Sequence, residues 1–108
     1  MTGEDLSGPF WTAATGVLDR AGVSRSTMMG LPCLRRDGAF FAACDRRTGD
    51  LLVKLTQEHV TALVAAGRAH PFAPAGRRFR RWAAVPPEGD GTWPALLAEA
   101  YEGAAEKH

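Results

Sequence analysis

Apolar residues recur along this chain with two different periods, and the switches between them mark out its elements. From Pro9 to Ala21, Phe10, Ala13, Ala14, Val17, Leu18 and Ala21 fall at helical spacing and make one apolar stripe. Pro9 suits a first turn, where a missing N–H costs nothing, and Gly22 supplies a left-handed stop. Gly16 weakens this helix by about 1 kcal/mol relative to alanine. A strand-rich stretch follows. Ser26 to Arg36 carries Gly30 and Pro32, which suit an edge strand or a bulge. Asp37-Gly38 is the strongest hairpin signal, since both central residues of a type I′ turn need positive φ. The return strand is Ala39 to Cys44, and the polar turn Asp45 to Asp50 leads to a third strand, Leu51 to Leu55. There Leu51, Val53 and Leu55 share one face and Lys54 takes the other.

A second helix is expected from Gln57 to Ala66, with Thr56 as its N-cap, Val60, Leu63 and Val64 as its buried face, and Gly67 as its end. The Pro-rich segment Ala69 to Gly76 has room for a short strand around Phe72. Arg77 to Val85 reads as a strand that Pro86-Pro87 breaks. A last helix is capped by Thr92, with Pro94 in its first turn and Leu96, Leu97, Ala100, Tyr101 and Ala104 as its stripe. The order α-β-β-β-α-β-β-α predicts a two-layer α+β fold, an antiparallel sheet with helices on one face. The chain reads as a single domain over residues 1–108, with its core between about 9 and 105.

Composition changes this picture in one respect. The net charge of +1 is the sum of segregated regions. Residues 20–81 hold all eleven arginines and Lys54 against Asp37, Asp45, Asp50 and Glu58, a surplus of eight positive charges. The segments on either side are net acidic. The 45% hydrophobic content argues for a folded core rather than disorder. Two cysteines are too few for a secreted disulfide scaffold, no signal-like apolar segment opens the chain, and no apolar run is long enough to span a membrane. A cytoplasmic setting is the expectation.

Catalytic chemistry finds little purchase. Cys33 and Cys44, in a hairpin whose paired residues sum to 75, are expected as diagonal neighbours on one face, buried and unbridged. His59, His70 and His108 have no zinc-ligand spacing, and neither a nucleophile elbow nor a phosphate loop is present. His70 and Tyr101 could serve a ligand only in a pocket between the sheet and the last helix. No catalytic, metal or cofactor site is expected, and the chain is read as a non-enzyme.

The most distinctive segment is Arg77-Arg78-Phe79-Arg80-Arg81-Trp82. Strict alternation puts Arg78, Arg80 and Trp82 on one face and Arg77, Phe79 and Arg81 on the other. Guanidinium groups pair with phosphates and aromatic faces stack on bases, so this pattern suits a nucleic acid. The competing reading is a solvated face whose arginines pair with carboxylates of the acidic last helix. Trp82, Trp93 and Tyr101 fit core or helix-docking roles.

Met28-Met29-Gly30, Arg36 to Ala42 and Leu52-Val53-Lys54-Leu55 resemble elements of the N-terminal domain of TfoX/Sxy-type competence regulators. Arg81-Trp82-Ala83-Ala84-Val85 and Leu97 to Tyr101 are similar to the related MmcQ/YjbR group of bacterial proteins. The resemblance runs from about Phe10 to Ala105, and it implies the same two-layer α+β fold. It also implies a small binding or regulatory module. Nucleic acid is one partner class, with Arg77, Arg78, Arg80, Arg81 and Trp82 as the contact strand and Arg35, Arg36, Arg46 and Arg47 at the hairpin ends. The alternative is a protein-interaction or homodimerisation domain using the exposed sheet face.

Overall fold

In the computed structural model, the structure describes residues 8–28, 30–73, 79–87 and 92–105. Three helices, α1 (Gly8–Leu18), α2 (Gln57–Ala65) and α3 (Thr92–Ala105), accompany six strands. The strands are β1 (Val23–Met28), β2 (Leu31–Arg36), β3 (Ala39–Cys44), β4 (Leu51–Lys54), β5 (His70–Phe72) and β6 (Phe79–Val85). All neighbours pair antiparallel in one sheet of order β1-β2-β3-β4-β6-β5. The fold is thus α+β, with the helices where the apolar periodicity placed them.

Local chemistry accounts for most element ends. Asp37 and Gly38 both adopt positive φ, 51° and 89°, as the expected type I′ turn requires. Thr56 caps α2 by accepting a hydrogen bond from the His59 amide at 3.1 Å, and Gly67 takes the left-handed conformation just past its end. One helix is shorter than expected. α1 stops at Leu18, because the Arg20 amide donates to the Val17 carbonyl in a tighter turn that leads to Gly22.

The stretch Ser26 to Arg36 is two strands rather than one. A two-residue connection at 29–30 folds β1 back on β2 in unbroken register from Val23↔Arg36 to Met28↔Leu31. Gly30, with φ of 80°, serves that turn instead of a bulge. Pro32 is tolerated in β2 because the ladder to β3 begins one residue later, at Cys33.

The bulge lies in the next strand. Arg36↔Ala39 and Arg35↔Phe40 keep the register that the turn sets, but beyond it Leu34 faces Ala42 and Cys33 faces Ala43. Phe41 is the extra residue, so Phe41 and Ala42 both enter the core beneath the helices. This one-residue slip reverses the side of everything after it. Cys44 lies in the helix-side core while Cys33 lies on the opposite face, so the expected same-face placement of the two cysteines is wrong. Both are buried and unbridged, as expected.

All three helices pack on the same side of the sheet. Phe10, Ala14 and Val17 of α1, Val60 of α2, and Trp93, Leu96, Leu97, Ala100 and Tyr101 of α3 join Leu34, Phe41, Leu51, Val53 and Val85 in the main core. The other side has a shallow apolar layer of its own. Cys33, Ala43, Leu52 and Ala84 lie there beneath half-buried Leu31, Phe40, Phe72 and Trp82, and no helix residue joins them.

Candidate nucleic-acid interface

The six strands contain no aspartate or glutamate. They contain Arg25, Arg35, Arg36, Lys54, Arg80 and Arg81. The described helical carboxylates, Glu58, Glu99 and Glu102, all belong to the layer on the far side. Positive charge therefore resides in the sheet, and the side of it without helices carries the aromatic rings.

The expected contact residues divide by what they touch. Arg77 and Arg78 lie outside the described residues. Arg80 is exposed, and Trp82 is half-buried on the open face, its ring centroid 6.2 Å from that of Phe72. Phe72 also meets Phe79, at 5.7 Å. Strict alternation would separate Phe79 from Trp82, but the ladder between β5 and β6 slips after Pro71, so that Phe72 opposes Phe79. Phe79 is the one large apolar residue exposed among those described, at 38%. Three rings thus cluster at one edge of the open face, and exposed Arg80 follows Phe79 in the chain.

Arg35 and Arg36 go to opposite sides, as strand alternation demands. Arg35 lies with Leu31 and Cys33 on the open side, its guanidinium carbon 4.6 Å from the Phe40 ring centre. Arg36 turns under α3. It sits 3.8 Å from the Tyr101 ring centre and donates from Nη1 to the Tyr101 carbonyl at 2.9 Å. Arg36 is therefore a clamp on the last helix, not part of an exposed surface. Arg81 donates from Nε to the Leu55 carbonyl at 3.3 Å and borders a cleft on the helix side. Arg46 and Arg47 are exposed in the β3–β4 turn, at the opposite end of the sheet from the Asp37-Gly38 hairpin. The nine expected residues do not form one surface.

The ion-paired alternative finds no pair for the sheet arginines Arg35, Arg36, Arg80 and Arg81 among the described residues. The acidic last helix pairs elsewhere: Glu102 with Arg20 at 2.6 Å and Glu99 with His59 Nδ1 at 2.7 Å. Instead, arginines lie over rings. Arg20 and Arg36 both approach Tyr101, and Arg25 approaches Trp11 at 4.9 Å. Tyr101 is buried, donates its hydroxyl to the Ala21 carbonyl at 2.8 Å and meets Phe41 edge-on. Trp93 is buried too, its Nε1 donating to the Pro86 carbonyl at 3.2 Å. Both are helix-docking residues, as expected.

Sequence reasoning missed Phe40 and Phe72 as members of the open face. Hairpin geometry alone could have found Phe40, opposite Arg35 beside the type I′ turn. The pairing of His59 with Glu99 joins residues 40 apart and has no local signal.

The cleft between the sheet and α3 encloses about 360 Å³ and is bordered by Lys54, Thr56, Arg81, Glu99 and Glu102, among others. Neither His70 nor Tyr101 borders it; His70 is exposed in β5. Cys33 is no candidate nucleophile, because burial pushes its thiol above the ordinary value of 9.0, against weaker opposite effects of Arg35 and a Ser26 hydrogen bond. Among the described residues no cluster of His, Cys, Asp or Glu could hold a metal ion. No protein-family model, curated protein or solved structure matches the chain.

Proposed function

We propose that this chain is a small non-enzymatic binding module of the TfoX N-terminal or YjbR type, and that the helix-free face of its sheet takes single-stranded nucleic acid. The observation that carries this reading is the conjunction on one face of Phe40, Phe72, Phe79 and Trp82 with Arg35, in a sheet whose strands hold no carboxylate, with exposed Arg80 next to Phe79 in the chain. Unstacked bases present flat apolar faces to such rings while their phosphates meet the guanidinium groups. A duplex hides its bases and offers this face only its backbone, so the rings favour the single strand.

Arg77 and Arg78 immediately precede Phe79 and extend the same basic segment. Arg36 and Arg81 are engaged on the helix side, with Tyr101 and the Leu55 carbonyl, and Arg46 and Arg47 lie at the other end of the sheet, so none of these four joins the contact set. Trp82 supplies the direct test. Bases stacked on it quench its fluorescence, and Trp82→Ala weakens binding by about 1–3 kcal/mol. The double variant Arg78→Ala with Arg80→Ala weakens binding of all sequences alike. Unchanged affinity in both variants contradicts the reading.

A further inference from the structure

The two edges of the sheet are built differently. β5 has three residues, includes Pro71 and pairs irregularly with β6, all of which blunt an edge against further pairing. β1 has none of these protections. It runs six residues without proline or bulge, in continuous register with β2, and Arg25 is its only charged residue.

The hydrogen-bond pattern shows which backbone groups of β1 face outward. The Asp37 amide donates to the Gly22 carbonyl at 2.9 Å, so Gly22 and Asp37 form a hydrogen-bonded pair in the antiparallel sense. Alternation then turns the amides and carbonyls of Ser24 and Ser26 toward β2, and those of Val23, Arg25 and Thr27 away from it. The Val23 amide is taken by the Arg20 carbonyl at 3.4 Å. The amides and carbonyls of Arg25 and Thr27 have no partner among the described residues.

We propose that β1 pairs antiparallel with β1 of a second copy of this chain, joining two sheets into one across a twofold axis. Parity fixes the register. Outward-facing residues must oppose one another and the Val23 amide is already taken by the Arg20 carbonyl, so Arg25 meets either Arg25 or Thr27 of the second copy. The first choice sets two arginines directly opposite each other, which strands disfavour. The second gives two Arg25–Thr27 pairs and four hydrogen bonds, and centres the axis on Ser26. The side chain of Arg25 is already drawn over the Trp11 ring on the helix side, away from its counterpart. Opposite Ser26 is only another serine, on the open face. A self-complementary register of this kind favours a second copy over an unrelated extended peptide.

The pairing is separable from the fold. Thr27→Pro removes an amide that points outward and leaves the β1–β2 ladder intact, since proline is accepted at edges on the solvent side. Ser26→Cys, in a Cys33→Ala background to prevent bridging within the hairpin, places two thiols at a non-hydrogen-bonded pair. Cα atoms there stand about 4.5 Å apart, within disulfide range.

Sedimentation of the full chain at rising concentration, up to about 1 mM because the contact is small, tests the proposal. The wild type is expected to shift from monomer to dimer, and Thr27→Pro to weaken association about tenfold or more with an unchanged circular dichroism spectrum. The Ser26→Cys variant is expected to form a disulfide-linked dimer on mild oxidation, whereas Ser24→Cys in the same background does not. A wild type that stays monomeric throughout, or a dimer whose affinity Thr27→Pro leaves unchanged, overturns it. Should Thr27→Pro lose its native spectrum, the cysteine pair decides: no Ser26 cross-link, or equal cross-linking at Ser24, overturns it as well.

Discussion

Arg36 lays its guanidinium on the Tyr101 ring and bonds the Tyr101 carbonyl, whereas Arg35, one residue earlier, stands over Phe40 on the other side of the sheet. Substituting each by alanine should separate stability from binding. Arg36→Ala loses a charged hydrogen bond and a ring contact and should cost about 1–3 kcal/mol in chemical denaturation, with little effect on the affinity of the folded protein. Arg35→Ala should weaken nucleic-acid binding with a smaller loss of stability. Cys33 gives a pH signature. Its thiol holds a proton more tightly in the folded chain than in the unfolded one, because burial raises its pKa. Above the ordinary value of 9.0 the unfolded chain therefore binds fewer protons, and stability falls as pH rises. Denaturation between pH 8 and about 10.5 should show a steeper decline for the wild type than for Cys33→Ala. Parallel pH profiles would contradict the assignment.

At the scale of elements, turns and caps were legible because their chemistry is local. Asp37-Gly38, Thr56 and Gly67 each need only a few neighbours to act, and each acts as expected. The bulge at Phe41 was not legible. In Ala39-Phe40-Phe41-Ala42-Ala43-Cys44 every residue is apolar, so no polar position reports the parity of the strand, and the slip stays hidden. The β1–β2 connection escaped for another reason. Gly30 and Pro32 signal a break without specifying whether it is a bulge or a reversal, and only the pairing with Val23 to Met28 decides. The glycines sharpen the same contrast. Gly22 has φ of 81°, and a Cβ added there would stand 2.6 Å from Asp37 Oδ1. Gly22→Ala should therefore destabilise by about 1–3 kcal/mol. Gly16 is helical with open space around it, and Gly16→Ala should stabilise by about 0.5–1 kcal/mol in the same thermal or chemical melts.

For the whole molecule, the near-neutral charge conceals a sorting by layer. The strands carry cations alone, while Glu58, Glu99 and Glu102 ride on helices that cover the opposite side. The sequence showed the basic middle of the chain but not its distribution over two faces. That depended on alternation, the bulge in β3 and the slip between β5 and β6. Arg36 and Arg81 turn to the helix side and Arg46 and Arg47 lie at the other end of the sheet, whereas Phe40 and Phe72 belong to the open face. Half-buried Arg35 and Arg36 are held over rings, with no ion pair among the described residues.

The most direct test of the central claim is an anisotropy titration of the full chain against labelled single-stranded and duplex oligonucleotides of equal length, repeated across salt concentrations. With Arg35, Arg77, Arg78 and Arg80 each meeting a phosphate, log K should fall against log salt with a slope of about −2.8 for the single strand. The single strand should also bind more tightly than the duplex at every salt concentration. Salt-independent binding, or a preference for duplex, would contradict the account.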